Sequence, residues 1–408
     1  MKKIILVLAL ISCSQLFSQS NKSTLKIFLN CDYCDITYIK QNLDYVEFVR
    51  DQKDADAHLL FRTQENGSGG TIYEIEFIGQ NEYVKVQDKL IFSTNSDSTD
   101  SEIRERILKF SKLGLVRFWL KNGDDDKISI EVKKREATDI KEEKDVWNKW
   151  VFDLGVRGFF YGQETNKNRN LNFSISAKQV TNENKFYLRG SINDSKSVYT
   201  FEGIDIISYQ KSSRLYLYDV ISINNNWSVG AFADAGKSTY RNKAFYTSFK
   251  PAIEYNFFSY EESSKKQLTL AYKIGGVYNN YQEKTIFNKE DEFLWEHNVT
   301  LGGSIKQAWG NITSEVSYES FLNDPSLNAF SFYLGTSFRI VKGLSFNISG
   351  NYDITNNQIN LAAGDLSLEE LLLSQQQVKS GYNYFFNAGI SYSFGSMFNT
   401  IVNPRFNF

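Results

Sequence analysis

From Trp147 onward, apolar side chains recur at every second position. In "WVFDLGVRG" (150–158) Trp150, Phe152, Leu154 and Val156 alternate with Asp153, Gly155 and Arg157, and near the end Tyr382, Tyr384, Phe386, Ala388, Ile390, Tyr392 and Phe394 alternate with mostly small or polar residues. A period of two predicts strands with one apolar face. Twelve are predicted, near 147–162, 169–180, 184–203, 212–223, 227–238, 244–258, 267–282, 294–309, 311–322, 328–341, 344–356 and 381–395. The alternation breaks between 195 and 223, where a strand can be gained or lost.

Upstream the pattern is mixed. "LKIFL" (25–29), "AHLLFRT" (57–63), "TIYEIEFIG" (71–79), "KLIFST" (89–94) and "KISIEV" (127–132) predict strands. "DITYIKQNL" (35–43) and residues 101–120 predict helices, the second with Ile103, Ile107, Phe110 and Gly114 on one face and Asp100 as its N-cap. These elements make a small α+β domain. The charged stretch "REATDIKEEKDV" (135–146) reads as a linker.

A strand with one oily face needs an oily partner. The strands past 147 commonly exceed ten residues, which suits a tilted crossing of a hydrocarbon layer better than a soluble sandwich. Their other face carries charge: Asp153, Arg157, Lys178, Arg189, Asp234, Lys250, Glu254, Lys273, Lys306, Glu315, Glu319, Arg339 and Asp353. A charged face is wet or salt-bridged, so lipid is left for the apolar one. The expected fold class is an all-β transmembrane barrel of about 12 antiparallel strands preceded by a small α+β periplasmic domain. Short links such as "TNEN", "NNN", "WGN" and "KG" are expected at the periplasmic end, with longer loops mostly at the other.

Composition agrees with this picture. Aromatics make up 15% of the 408 residues, with 32 Phe and 24 Tyr against 3 Pro, a balance that favours strands and membrane interfaces. Past residue 20 no apolar run approaches the roughly 18 residues of a membrane helix. A net charge of -2 gives no field pointing to nucleic acid. The start "MKKIILVLALISCSQLFSQS" has the basic, apolar and small-residue regions of an export signal. Two processing readings compete: cleavage after Ser18, or lipidation at Cys13 of "LISC". The expected organisation is signal peptide 1–18, periplasmic domain 19–134, linker 135–146 and barrel 147–408.

Candidate chemistry is sparse. "CDYC" sets Cys31 and Cys34 between a strand and a helix, where a structural disulfide, an inert thiol pair and a redox-active pair compete. With only His58 and His297 and no second cysteine pair, neither a metal site nor any cofactor is expected. His297 shares a register with Val299, Leu301 and Ile305, which puts it on the apolar face and argues against a hydrolase or acyltransferase centre. "NGSGG" (66–70) lacks the Lys-Ser/Thr of a phosphate loop and reads as a hairpin loop; "SLEELLL" (367–373) reads as a short helix in the longest outer loop.

In "NAGISYSF" (387–394) Asn387, Gly389, Tyr392 and Phe394 resemble the signal that barrel-assembly machinery reads on a last strand. Together with "PAIEYNFFSYEES", "KTIFNKEDE", "KQAWGNI", the "CDYCD" and "GGTIYEIEFIG" segments and the tail "FGSMFNTIVNPRF", the chain resembles an uncharacterised bacterial outer-membrane β-barrel family with a small periplasmic domain. The resemblance implies architecture and location in the outer membrane, and no activity. The expected function is a narrow or plugged channel or transport-type barrel. The alternative is a structural or envelope-assembly protein, and the remotest option a lipid-modifying enzyme. Expected partners are outer-membrane lipids, the assembly machinery during insertion, and a periplasmic partner of residues 19–134.

Overall fold

The computed structural model describes residues 24–131, 145–364, 376–395 and 405. The signal peptide, most of the linker, "SLEELLL" and nearly all of the tail motif lie outside these residues. Among the described residues the chain forms two sheets.

The first holds β1 (Leu25–Asn30), β2 (Val46–Phe48), β3 (Ala57–Glu65), β4 (Thr71–Gly79) and β5 (Gln87–Ser93) in the order β2-β1-β3-β4-β5. β2, β1 and β3 run parallel; β3, β4 and β5 form an antiparallel meander. A short helix (Ile36–Asn42) and a long one (Asp100–Asn122) cover one face. Leu25, Ile27, Leu59, Phe61, Tyr73, Ile75 and Phe77 supply the core from the sheet, and Ile39, Ile107, Leu115 and Phe118 from the helices. The long helix lies so close to β4 that a Cβ on Gly114 would sit 2.0 Å from the Phe77 ring. Only glycine permits that approach.

Two upstream expectations need correction. The N-cap of the long helix is Thr99, not Asp100: Thr99 Oγ1 accepts from Glu102 N at 3.3 Å while Glu102 returns a carboxylate to Thr99 N at 2.8 Å. A Glu three residues past Thr99 completes this capping box. Residues 128–131 of "KISIEV" are not a strand; Ile128 packs against the core beside the long helix. The sheet edges are β2 and β5, and this segment pairs with neither.

The second sheet has twelve antiparallel strands, each paired with the next in sequence. They are β6 (Trp150–Gln163), β7 (Asn166–Val180), β8 (Asn184–Phe201), β9 (Ile204–Ser222), β10 (Trp227–Ser238), β11 (Lys243–Asn256), β12 (Lys266–Tyr281), β13 (Asp291–Gln307), β14 (Gly310–Phe321), β15 (Asp324–Val341), β16 (Leu344–Thr355) and β17 (Tyr382–Tyr392). The irregular region 195–223 is a single long hairpin, β8 to β9. It turns at Glu202 and Gly203 with φ of 49° and 78°, the doubly positive pair that suits the twist of a two-residue hairpin.

The meander stays open between β6 and β17, its two edges. Tyr384, Phe386 and Ile390 of β17 and Leu154 and Val156 of β6 stand on the outer face, Ile390 70% and Leu154 83% exposed. The end that carries links 181–183, 223–226, 257–265, 308–309 and 342–343 is the one nearer the first domain. At the far end, the two longest links, 282–290 and 356–381, accompany two-residue turns at 164–165, 202–203 and 322–323. Length alone therefore does not separate the two ends, since link 257–265 beside the first domain is as long as 282–290.

Candidate functional site: a polar interior capped at both ends

Cross-strand register carries one face continuously across the twelve strands. Asp153 lies opposite Ser176 and Ser176 opposite Arg189; Asp234 faces Ser248, Lys273 faces Asn298, Asn298 faces Glu319, and Asp353 faces Asn383. The thirteen charges picked out from sequence fall on this polar face. Parity also places Arg214 and Glu296 there, which the sequence reading missed. Arg214 donates to both carboxylate oxygens of Asp234, with Nε at 2.9 and 3.1 Å, and Lys250 pairs with Glu296. Arg214 lay in the region of broken alternation. Glu296 lies between Trp295 and His297, and its parity alone would have revealed it.

Aromatic rings share this face. Tyr187 and Tyr218 have centroids 5.3 Å apart, Tyr218 and Phe232 5.6 Å, and the Lys273 ammonium sits 4.0 Å from the Phe232 ring centre. On the opposite face His297 lies between Tyr272 and Tyr318, at ring distances of 6.0 and 6.1 Å.

The first domain closes one end. Alternation in β1, β3 and β4 sends Phe28, His58, Leu60, Arg62, Glu74 and Glu76 away from the helices, onto a face with no helix over it. Yet His58 and Leu60 are 1% exposed and Arg62 2%. The rim of the twelve-stranded sheet covers them. Arg62 donates through Nε to the Lys306 carbonyl at 3.2 Å and pairs through Nη1 with Glu74 at 2.9 Å and Glu76 at 2.7 Å. From the rim, Ser264 donates to Glu74 at 3.2 Å and Lys265 pairs with Glu76 at 3.4 Å. Burial works to raise the Glu76 carboxyl, but Arg62 and Lys265 outweigh it and hold the group below its ordinary value.

These contacts run round the rim. Lys178 reaches Glu65 at 3.4 Å, Gln64 donates to Ser263 at 3.0 Å, and Lys306 reaches Asp32 at 3.4 Å. Arg339 lies over the Phe28 ring at 4.8 Å and donates to Asn30 at 3.3 Å. Asp51 accepts from the Gly343 amide at 3.0 Å, and Arg50 donates to the Phe394 carbonyl at 3.2 Å. One small domain thus touches the ends of strands from β7 to β17, which requires the sheet to curl around it. Beneath its 66–70 hairpin lies a cavity of 620 Å³ lined in part by Asp153, Lys178, Arg189, Tyr187 and Tyr218.

The far end is narrowed by the start of the link after β16. Ile359 is buried against Leu294 and Phe321, both on the polar-face parity, and Asn357 donates to Glu319 at 2.6 Å. The segment is strapped across the mouth: Ile286 N donates to Leu361 O at 2.8 Å, Ala363 N to Lys284 O at 2.8 Å, and Asn360 to Arg241 O at 2.9 Å.

The remaining sequence candidates spread out. Cys31 and Cys34 are joined in a disulfide just after β1, with Cα atoms 5.6 Å apart. Asn387 and Gly389 lie on the polar face of β17, opposite Ser349 and Asn347; Tyr392 lies on the apolar face, and Phe394, just past the strand, stacks on Tyr392 at 5.7 Å. Among the described residues no group of three or more His, Cys, Asp or Glu side chains is placed to hold a metal.

No protein-family model matches the chain, and no curated relative matches it. Solved structures overlap it loosely. The NanC porin shares 10% identity over 59% of this chain and 100% of its own, with a TM-score of 0.29. The CymD monoaromatic hydrocarbon channel shares 14% over 50% and 74%, with a TM-score of 0.27. The translocator domain of the autotransporter NalP from Neisseria meningitidis shares 11% over 59% and 86%, with a TM-score of 0.28.

Proposed function

We propose that this protein is an outer-membrane barrel of the channel or transport type whose lumen its own N-terminal domain closes from the periplasmic side. The observation that carries the reading is the double burial of the first sheet, with helices on one face and the rim on the other. Among the described residues, the fully buried His58, Leu60 and Arg62, on a face without helices, have no other cover. The exposed apolar face of β6 to β17 supports a lipid setting, since an aqueous surface rarely carries so large a patch. The polar face is then the lumen, with charges of both signs, and in a closed barrel β6 and β17 meet at the seam. His297, held between two tyrosines on the apolar face, supplies no hydrolytic centre in this reading.

Single-channel conductance in planar bilayers tests it. The full chain is expected to give no steps above background. A chain lacking residues 24–131 should give small steps, and one also lacking 357–380 larger ones. Silence from all three sinks the channel; identical steps from all three sink the plug.

A specific observation also supports the envelope-assembly reading. Away from the rim, Leu113, Val116, Trp119, Tyr45, Ile128 and Ile130 line an apolar groove of 670 Å³ beside the long helix. A periplasmic partner that docks there would be lost on Leu113→Asp, with conductance unchanged.

A further inference from the structure

His58 stands where the plug meets the rim. It pairs in register with Phe28 of β1 and Ile78 of β4, and its ring meets the Phe28 ring edge-on at 5.1 Å. Across the junction the Arg339 guanidinium of β15 lies over the same Phe28 ring at 4.8 Å. The imidazole is 1% exposed, and its Nε2 has no hydrogen-bond partner. A neutral ring is tolerated there at the cost of one unmet polar atom; a charged ring is not, because burial strips its water and two of its three charged neighbours are cations. Those neighbours are Arg339 on the rim, Arg62 on its own strand and Glu76 on β4. Glu76 is already engaged by Arg62 and Lys265, so it is not available to balance a third cation.

We propose that His58 is a proton-operated latch: protonation of its imidazole drives the N-terminal domain off the rim, so that acid opens the periplasmic mouth. The inference rests on the plug reading above. Desolvation first, and then Arg339, lower the His58 pKa from 6.5 to about 4 in the seated state. A released domain exposes the face, and the group returns toward its ordinary value. The released state therefore binds more protons between these two values, and seating weakens as pH falls from about 7 toward 4. Linkage between the two values gives a seating constant about 30-fold smaller at pH 5 than at pH 8. The other carboxylates at the junction are Asp51, which accepts from the Gly343 amide, Asp54, which pairs with Lys342, and Glu74, which accepts from Ser264.

The test uses the full chain in lipid vesicles, with spin labels at Lys53→Cys on the plug and Asn182→Cys on the rim turn. Both sites are exposed. The fraction at the longer separation is measured along a urea series at pH 8 and pH 5, which yields the seating constant at each pH. The expected result is the 30-fold loss in the parent chain and less than about a threefold change in His58→Phe, which keeps the ring packing and cannot titrate. His58→Gln serves as a second non-titrating variant if Phe does not seat. An equal loss in parent and variants, or none in the parent, overturns the latch while leaving the plug intact. Labels already separated at pH 8 without urea overturn the plug itself.

Discussion

β3 and β17 are both alternating strands, yet β3 buries both of its faces and β17 neither. In β3 the apolar Leu59 and Phe61 are buried under the helices, and the polar His58 and Arg62 are buried under the rim. In β17 the apolar Tyr384, Phe386 and Ile390 point outward, with nothing among the described residues over them. A period of two states only that the faces differ. What covers each face comes from elsewhere in the chain, or from the surrounding solvent. The first sheet is thus a protein core by any measure, whereas the second has its core turned inside out. Its apolar side chains meet the environment and its charges meet one another.

The contrast is sharpest where a change suits one region and ruins the other. The largest effect is expected where the N-terminal domain meets the rim. Arg62→Ala leaves Glu74 and Glu76 facing each other in a buried place with only lysine support, a loss of about 3 to 5 kcal/mol for a broken buried pair. Urea-induced release of the N-terminal domain should shift to much lower concentration, with heat-modifiable migration of the barrel unchanged. Loss of both together would mean that the N-terminal domain and the barrel fold as one unit.

Next comes the closing strand. Ile390→Arg sets a guanidinium on the apolar face, at about 2 to 4 kcal/mol if the site lies near the bilayer midplane. Its neighbour Ser391 lies on the polar face and shares a hydroxyl contact with Ser345 at 2.6 Å. Outer-membrane levels and heat-modifiable migration should collapse for Ile390→Arg and fall far less for Ser391→Arg. Equal tolerance would remove lipid as the partner of that face. The smallest effect belongs to a helix end: Thr99→Ala breaks the capping box at a cost of about 1 kcal/mol, seen as a small drop in the urea midpoint of the N-terminal domain alone.

The strands were legible because their physics is local. Twelve stretches of alternating residues bounded by Asn, Gly and Lys turns predict twelve strands, and parity assigns thirteen charges to one face without any coordinates. The helix start was nearly legible too. Thr99 and Asp100 both suit an N-cap, and the Glu three residues downstream decides for Thr99. "KISIEV" shows the limit of the method, because alternation makes a strand only where a neighbouring strand offers its backbone.

The junction between the two sheets was not legible at all. Nothing in "AHLLFRT" or "TIYEIEFIG" distinguishes polar residues that face water from polar residues that face a rim some 240 positions later, as Arg62 and Lys306 do. The sequence by itself determined the periodicity, the element types, the face that carries charge and the hairpin order, since each depends on side chains a few residues apart. The tertiary structure alone decided that the two sheets meet, that His58 and Arg62 lie between them, and that the segment after β16 folds back across the far mouth. Those contacts join residues with no shared period, and only the curl of the twelve-stranded sheet brings them within reach.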